Sequence, residues 1–241
     1  MAKLKVPSLQ HLARNWRDNP SRVKRVLVAL AKSAPTFSYD PLFGAVRDML
    51  VFGQSYDEIA EGMRRAIKRK DVQDNFLGVL PLIRDYFDGV APTFVQSVGR
   101  RYYPVGRGLM VPFDPPLIYG VGGRIYFPWF SFWRRNPITA KRLSLFVAIV
   151  DDVLFQDPDL EEAKFEILDF SAPAVDKPRS LTVVDAREVP RISPEEKTEM
   201  LSVFAEGFLL AQAELAGMKD ASADEKPRDE KGDDDQLPLF E

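Results

Sequence analysis

Cysteine is absent from this 241-residue chain, and histidine occurs once, at His11. Without thiols there are no disulfides, no thiolate nucleophile and no cysteine-built metal site. A single imidazole leaves no Ser-His-Asp triad to expect and no multi-histidine metal cage. No run of eighteen apolar residues offers to span a membrane, and Met1–Pro7 lacks the apolar stretch of a secretory signal. A soluble cytoplasmic protein, without a membrane partner, is the expectation. What the chain does have is an apolar fraction of 45%, enough to bury a core as one domain or two small ones.

Charge is segregated along the chain. Residues 1–150 hold 23 Lys+Arg against 11 Asp+Glu, and residues 151–241 hold 10 against 25. A basic half suits a polyanionic partner, with an acidic tail that keeps it soluble or competes for it. Solvated basic helix faces give the same arithmetic, and both readings stay open.

Residues 1–90 read as a helical basic region. Ser8 can cap a helix to about Asp18, and Pro20 opens a second to about Ser33, with Val23, Val26, Leu27 and Leu30 at helical spacing. A third covers Leu42 to Val51. Ser55 and Glu58 have the spacing of a capping box for a fourth, whose stripe is Ile59, Met63 and Ile67. Arg64, Arg65, Lys68, Arg69 and Lys70 crowd its end, where cations complement the helix dipole. A fifth helix follows from Val72 to Phe87. Ser55–Arg65 resembles the first helix of a helix-turn-helix motif, but no recognition helix follows, so helical core is the preferred reading. His11, in a basic amphipathic segment, reads as a surface residue.

Residues 91–217 read as an α+β domain with four to six strands. Arg101–Val105 with Leu109–Phe113, and Leu117–Tyr119 with Arg124–Phe130, look like two strand pairs around glycine turns. Leu143 to Phe155 suits a helix, and Lys164–Phe170 and Leu181–Val184 suit strands. The closing helix has Ser193, Pro194 and Glu196 at its start and Leu201, Phe204, Phe208 and Leu215 as its apolar face, with Gly217 to end it. The fold class expected is α+β, closed by this helix. Residues 218–241 then read as a disordered acidic linker, because Met218 to Asp235 has no apolar period.

The linker ends Asp233-Asp234-Asp235-Gln236-Leu237-Pro238-Leu239-Phe240-Glu241. Leaving a large apolar side chain in water forfeits roughly 1.5–3 kcal/mol relative to burial. Three of them in one short polar stretch suggest a linear motif that a partner buries. Gln236, Leu237, Leu239 and Phe240 match all four fixed positions of Gln-Leu-x-Leu-Phe. The stretch resembles the peptide by which bacterial polymerases, repair proteins and mismatch factors dock on the sliding clamp. At average composition four fixed residues recur by chance roughly once in ten thousand positions or more. The resemblance implies a bacterial sliding clamp as partner and a task in DNA replication or repair. It implies no reaction. Folding of Leu237–Phe240 back onto the chain's own surface is the competing expectation.

Acidic residues are the only catalytic material. The order of elements around Lys164–Phe170 resembles the core of the PD-(D/E)XK nuclease superfamily. That resemblance implies Mg²⁺ held by Asp151 or Asp152 and by Asp169, with Glu166 nearby, and otherwise no cofactor. It also implies a lysine at position 171, where this chain has Ser171; Lys177 or Lys164 would have to substitute. Structural carboxylates are the competing reading. For contact with nucleic acid the candidates are Arg64, Arg65, Arg69, Arg100, Arg101, Arg134 and Arg135, the last two in an exposed-looking turn. Aromatics interleave with arginines at Arg100–Arg107 and Arg124–Arg135, as in single-strand binders, although Phe127, Trp129 and Phe132 fit a core better. A protein that binds other partners, with no role at nucleic acid, remains the third reading.

Overall fold

The computed structural model describes residues 4–33, 38–174 and 176–224. Its elements run α1 (Leu9–Asn15), α2 (Pro20–Lys32), α3 (Asp40–Phe52), α4 (Tyr56–Ala66), α5 (Lys70–Leu77), α6 (Leu80–Phe87), β1 (Phe94–Gln96), β2 (Arg101–Gly106), β3 (Leu109–Phe113), β4 (Ile118–Val121), β5 (Arg124–Ser131), α7 (Lys141–Leu154), β6 (Lys164–Asp169), β7 (Thr182–Asp185) and α8 (Pro194–Asp224). The class is α+β. Among the described residues there are seven strands rather than four to six, because the short β1 carries too little alternation to be read.

Five strands form one mixed sheet in the order β1-β4-β5-β6-β7, while β2 and β3 form a separate hairpin. β1, β4 and β5 are antiparallel. α7 then carries the chain back so that β6 runs parallel to β5, with Trp129 opposite Ile167, and β7 returns antiparallel. Successive strand side chains face opposite ways, and β6 is buried on both sides. Phe165 and Ile167 join a core with Leu12, Val23, Phe146 and Phe204. Leu168 and Phe170 join a second with Leu42, Ile83, Phe87 and Phe132. One face of the sheet is therefore covered by α1, α2, α7, α8 and the hairpin, the other by α3 to α6. The N-terminal helices are divided between the two cores.

Local chemistry explains most boundaries. The Ser55/Glu58 capping box forms in both directions. α2 begins at Pro20, with the Asn19 side chain accepting from the Ser21 amide at 2.8 Å. The helix expected over Val72 to Phe87 is two helices, since Pro81 cannot donate to the Leu77 carbonyl and its ring crowds that turn. α1 stops at Asn15, where Arg17 Nη1 donates to the Arg14 and Trp16 carbonyls at 3.1 and 2.7 Å. Ser193 Oγ accepts from the Glu196 amide at 3.1 Å, but the Glu196 carboxylate reaches Lys141 at 2.7 Å instead of closing a second box.

Gly217 does not end α8, which runs on to Asp224. The linker expected from Met218 is thus helical at its start; the rest of it falls at 225–241, outside the described residues. Over Pro194–Met218 α8 is long and apolar enough to cross a membrane on length and composition. Here Met200, Leu201, Phe204, Phe208 and Ala211 of that stretch face the core instead, and Glu214 pairs with Lys24 of α2 at 2.7 Å.

One buried cation ties the sheet to the second layer. Arg179 is 9% exposed. Its Nη1 donates to the carbonyls of Phe132, Trp133 and Phe170 at 3.1, 3.1 and 2.8 Å, and its Nη2 to Asn75 Oδ1. The ends of β5 and β6 are thereby fastened to α5. Burial pushes this guanidinium below its ordinary range.

Candidate functional site

The three carboxylates proposed as metal ligands enter three different networks. Asp152, in the last turn of α7, accepts from the Tyr103 hydroxyl at 2.6 Å and from Lys197. Glu166 shares a side of β6 with Leu168 and Phe170 and is 5% exposed. There it accepts from the Tyr86 hydroxyl at 2.8 Å and from Lys164 Nζ at 2.5 Å. Asp169 ends β6 on the opposite side, receiving Asn136 Nδ2 at 2.8 Å, Ser171 Oγ at 3.1 Å and the Ser171 amide at 3.1 Å. Asp151 pairs with Arg191. Among the described residues no group of three or more His, Asp or Glu is placed to hold a metal ion.

The surroundings of Glu166 show what such burial does. Burial, then the Tyr119 hydroxyl and the Glu166 carboxylate, push the Tyr86 phenol well above its usual range, and burial pushes Tyr119 up to about 12. Lys164, hydrogen-bonded to Glu166 and 5.7 Å from the Tyr126 ring centre, is raised as well. Lys164 is therefore already committed to Glu166 rather than standing in for a lysine at position 171. Ser171 itself serves Asp169.

Most of the candidate phosphate-binding arginines meet carboxylates. Arg64 and Arg65 both reach Glu61, at 3.9 and 3.5 Å, and Arg69 holds Asp71 at 2.7 Å. Arg100 binds Asp114 at 2.6 Å and Arg101 binds Asp157 at 2.9 Å. These surface pairs are worth little to stability, and with Glu61 shared by two arginines the four carboxylates offset only part of the positive charge a phosphate would use. Arg134 is exposed and donates to the Lys177 carbonyl at 3.5 Å. Arg135 is exposed, and among the described residues no carboxylate pairs with it. The aromatics between them are not available for stacking: Phe127, Trp129, Phe130 and Phe132 are at most 5% exposed. Tyr102, at 53%, is open to solvent.

A basic cluster that the sequence did not single out lies where α1 meets the start of α7. Burial, then Arg142 and Arg14, lower the affinity of Arg17 for a proton, and Asp18 acts in the opposite direction. Arg142 Nη1 donates to the Pro137 carbonyl at 3.3 Å, and Arg14 lies over the Trp133 ring at 5.6 Å. His11 packs edge-on against the same ring, centroids 5.8 Å apart. It is half-buried rather than a surface residue, and burial and Arg14 depress its proton affinity.

Gln236, Leu237, Leu239 and Phe240 lie outside the described residues. Comparison with known protein families finds none that matches this chain. Comparison with curated proteins finds no match either.

Proposed function

We propose that this protein is an accessory factor in DNA replication or repair, recruited to a bacterial sliding clamp by Gln236, Leu237, Leu239 and Phe240. The observation that carries the reading is the match at all four fixed positions of the clamp-binding peptide. Between Asp224 and Gln236 the sequence is charged or small, with no large apolar residue before Leu237. The apolar triplet thus has no apolar neighbours of its own in sequence with which to form a core.

Three buried apolar side chains supply roughly 5–9 kcal/mol before ordering costs. Pro238 lowers those costs by restricting the free peptide. What remains after those costs is a weak association, suited to reversible exchange on a shared clamp. The folded body supports the same reading in one respect. The candidate metal ligands Asp151, Asp152, Glu166 and Asp169 are each engaged by side chains of the fold.

Pull-down on immobilised, purified clamp tests this. The intact protein is retained, and a Leu239→Ala/Phe240→Ala variant with an unchanged circular dichroism spectrum is not. Equal retention of the two, or of neither, overturns the reading.

A further inference from the structure

We propose that a gap in the sheet beside the end of β5 binds a nucleobase that carries an amino group next to a ring nitrogen, as adenine does. Such a site is independent of recruitment to the clamp.

Two prolines open the gap. β4 pairs with β5 only as far as Tyr119 opposite Tyr126. Continued, that register would set Pro115 opposite Phe130 and Pro116 opposite Trp129, and proline has no amide hydrogen to give to a ladder. The end of β5 therefore has β6 on one side and no strand on the other. The Ser131 carbonyl accepts from the Phe170 amide, on the β6 side, at 3.0 Å. Backbone groups alternate sides along a strand, so the amide and carbonyl of Phe130 point the other way, into the gap. Among the described residues neither meets a backbone partner.

A cavity of about 670 Å³ occupies this place, within the range of small-molecule sites. Gln10 of α1 lines it from one layer, and Phe43 and Gly44 of α3 line it from the other. Trp129 and Phe130, which belong to opposite cores, lie between them. Gln10 Oε1 is buried, and among the described residues no group donates to it. Buried polar atoms are nearly always satisfied, so this acceptor points to a donor on a ligand. Gly44 adds a third indication. Its φ is not positive, and a Cβ there would meet nothing within 4 Å. Neither backbone conformation nor close packing calls for a glycine inside α3, where it weakens the helix. What its missing side chain leaves is room in the cavity.

The groups facing the cavity select the ligand. Phe130 offers a donor and an acceptor side by side, and Gln10 offers a second acceptor. A ring nitrogen beside an amino group matches all three. The nitrogen accepts from the Phe130 amide, and the two amino hydrogens serve the Phe130 carbonyl and Gln10 Oε1. Phe43, Pro115 and Pro116 give a flat ring apolar walls. Asp40, Arg47 and Asp114 also line the cavity and have no common sign, so the base rather than a phosphate is what it reads.

Calorimetric titration of the full chain with adenosine, without clamp, tests the site, and saturable one-to-one binding is expected. Purine riboside, which lacks the amino group, should bind about tenfold more weakly. Gln10→Leu should weaken adenosine about tenfold yet leave purine riboside within about threefold, a pattern that lost packing alone would not give. Gly44→Leu fills the cavity and gains helix propensity; it should keep the parent's melting temperature and lose adenosine. Oligo(dA) binding about tenfold tighter than adenosine monophosphate would place the base in a single strand, and equal binding would place it in a free nucleotide. Either result supports the site if Gly44→Leu abolishes it. The proposal is overturned if neither adenosine nor oligo(dA) binds, if purine riboside binds as tightly as adenosine, or if Gly44→Leu binds like the parent.

Discussion

Two glycines of α8 should answer the same substitution with opposite signs. An alanine methyl at Gly207 would lie 2.5 Å from Val23 Cβ, 2.7 Å from Val23 Cγ1 and 2.8 Å from the Pro20 carbonyl oxygen. Carbon atoms normally approach to about 3.5–4.0 Å, so α2 and α8 would have to part by about 1 Å along their crossing. Neither the Val23 Cβ nor the Pro20 carbonyl can swing aside as a flexible side chain would. Overpacking of this kind costs about 1–3 kcal/mol, against about 1 kcal/mol gained from alanine's helix propensity. Gly217, in the same helix, has nothing among the described residues within 4 Å of the added methyl, so helix propensity decides the sign. Urea unfolding followed by circular dichroism should therefore show Gly217→Ala stabilised by up to about 1 kcal/mol. Gly207→Ala should be less stable than Gly217→Ala by about 1–3 kcal/mol, at unchanged m-value. Val23→Ala in the Gly207→Ala background relieves only the Cγ1 contact and should not restore the parent. Equal stabilisation by the two glycine replacements would refute the close helix crossing.

Arg179→Met removes donors from three carbonyls and Asn75; a loss of about 3–5 kcal/mol in chemical denaturation is expected. Glu166→Gln keeps an acceptor for Tyr86 but leaves Lys164 without its partner, and should cost about 1–3 kcal/mol in the same assay. Asp185 is held at about 2, first by its hydrogen bond from Arg187. Its folded value lies below its unfolded one, so its contribution is full above about pH 4 and is lost as pH falls through about 2. Melting temperature measured over that interval should fall less steeply in Asp185→Asn. Incubation with Mg²⁺ and plasmid DNA should leave the DNA intact, because Asp152, Glu166 and Asp169 serve separate networks; cleavage abolished by Asp169→Ala would contradict that assignment.

Helices whose ends carry their own chemistry were legible in the sequence. Pro20 and the Ser55/Glu58 box mark boundaries through contacts only three residues long, and β6 announces itself by its aromatic and branched residues. Elements defined by distant partners were not. β1 is three residues long and exists because β4 pairs with it and Phe94 covers Gly120. Gly217 looks like a terminator, yet α8 pays only the modest propensity cost and continues, having been anchored upstream by Phe204 and Phe208.

The same division runs through the candidate sites. The tail is a linear pattern in the sequence, and its four residues lie outside the described residues. The meeting of Arg64 and Arg65 with Glu61 was available from their three- and four-residue spacing on a helix. Arg101 meets Asp157 only because the fold brings remote segments together, and pattern alone could not show it.

Recruitment through the tail can be measured by calorimetric titration of purified clamp with the intact protein. Saturable binding is expected, with competition by a synthetic peptide spanning residues 233–241 and loss of the heat signal in Leu239→Ala/Phe240→Ala. Binding that survives the double substitution, or no binding by the intact protein, would contradict it.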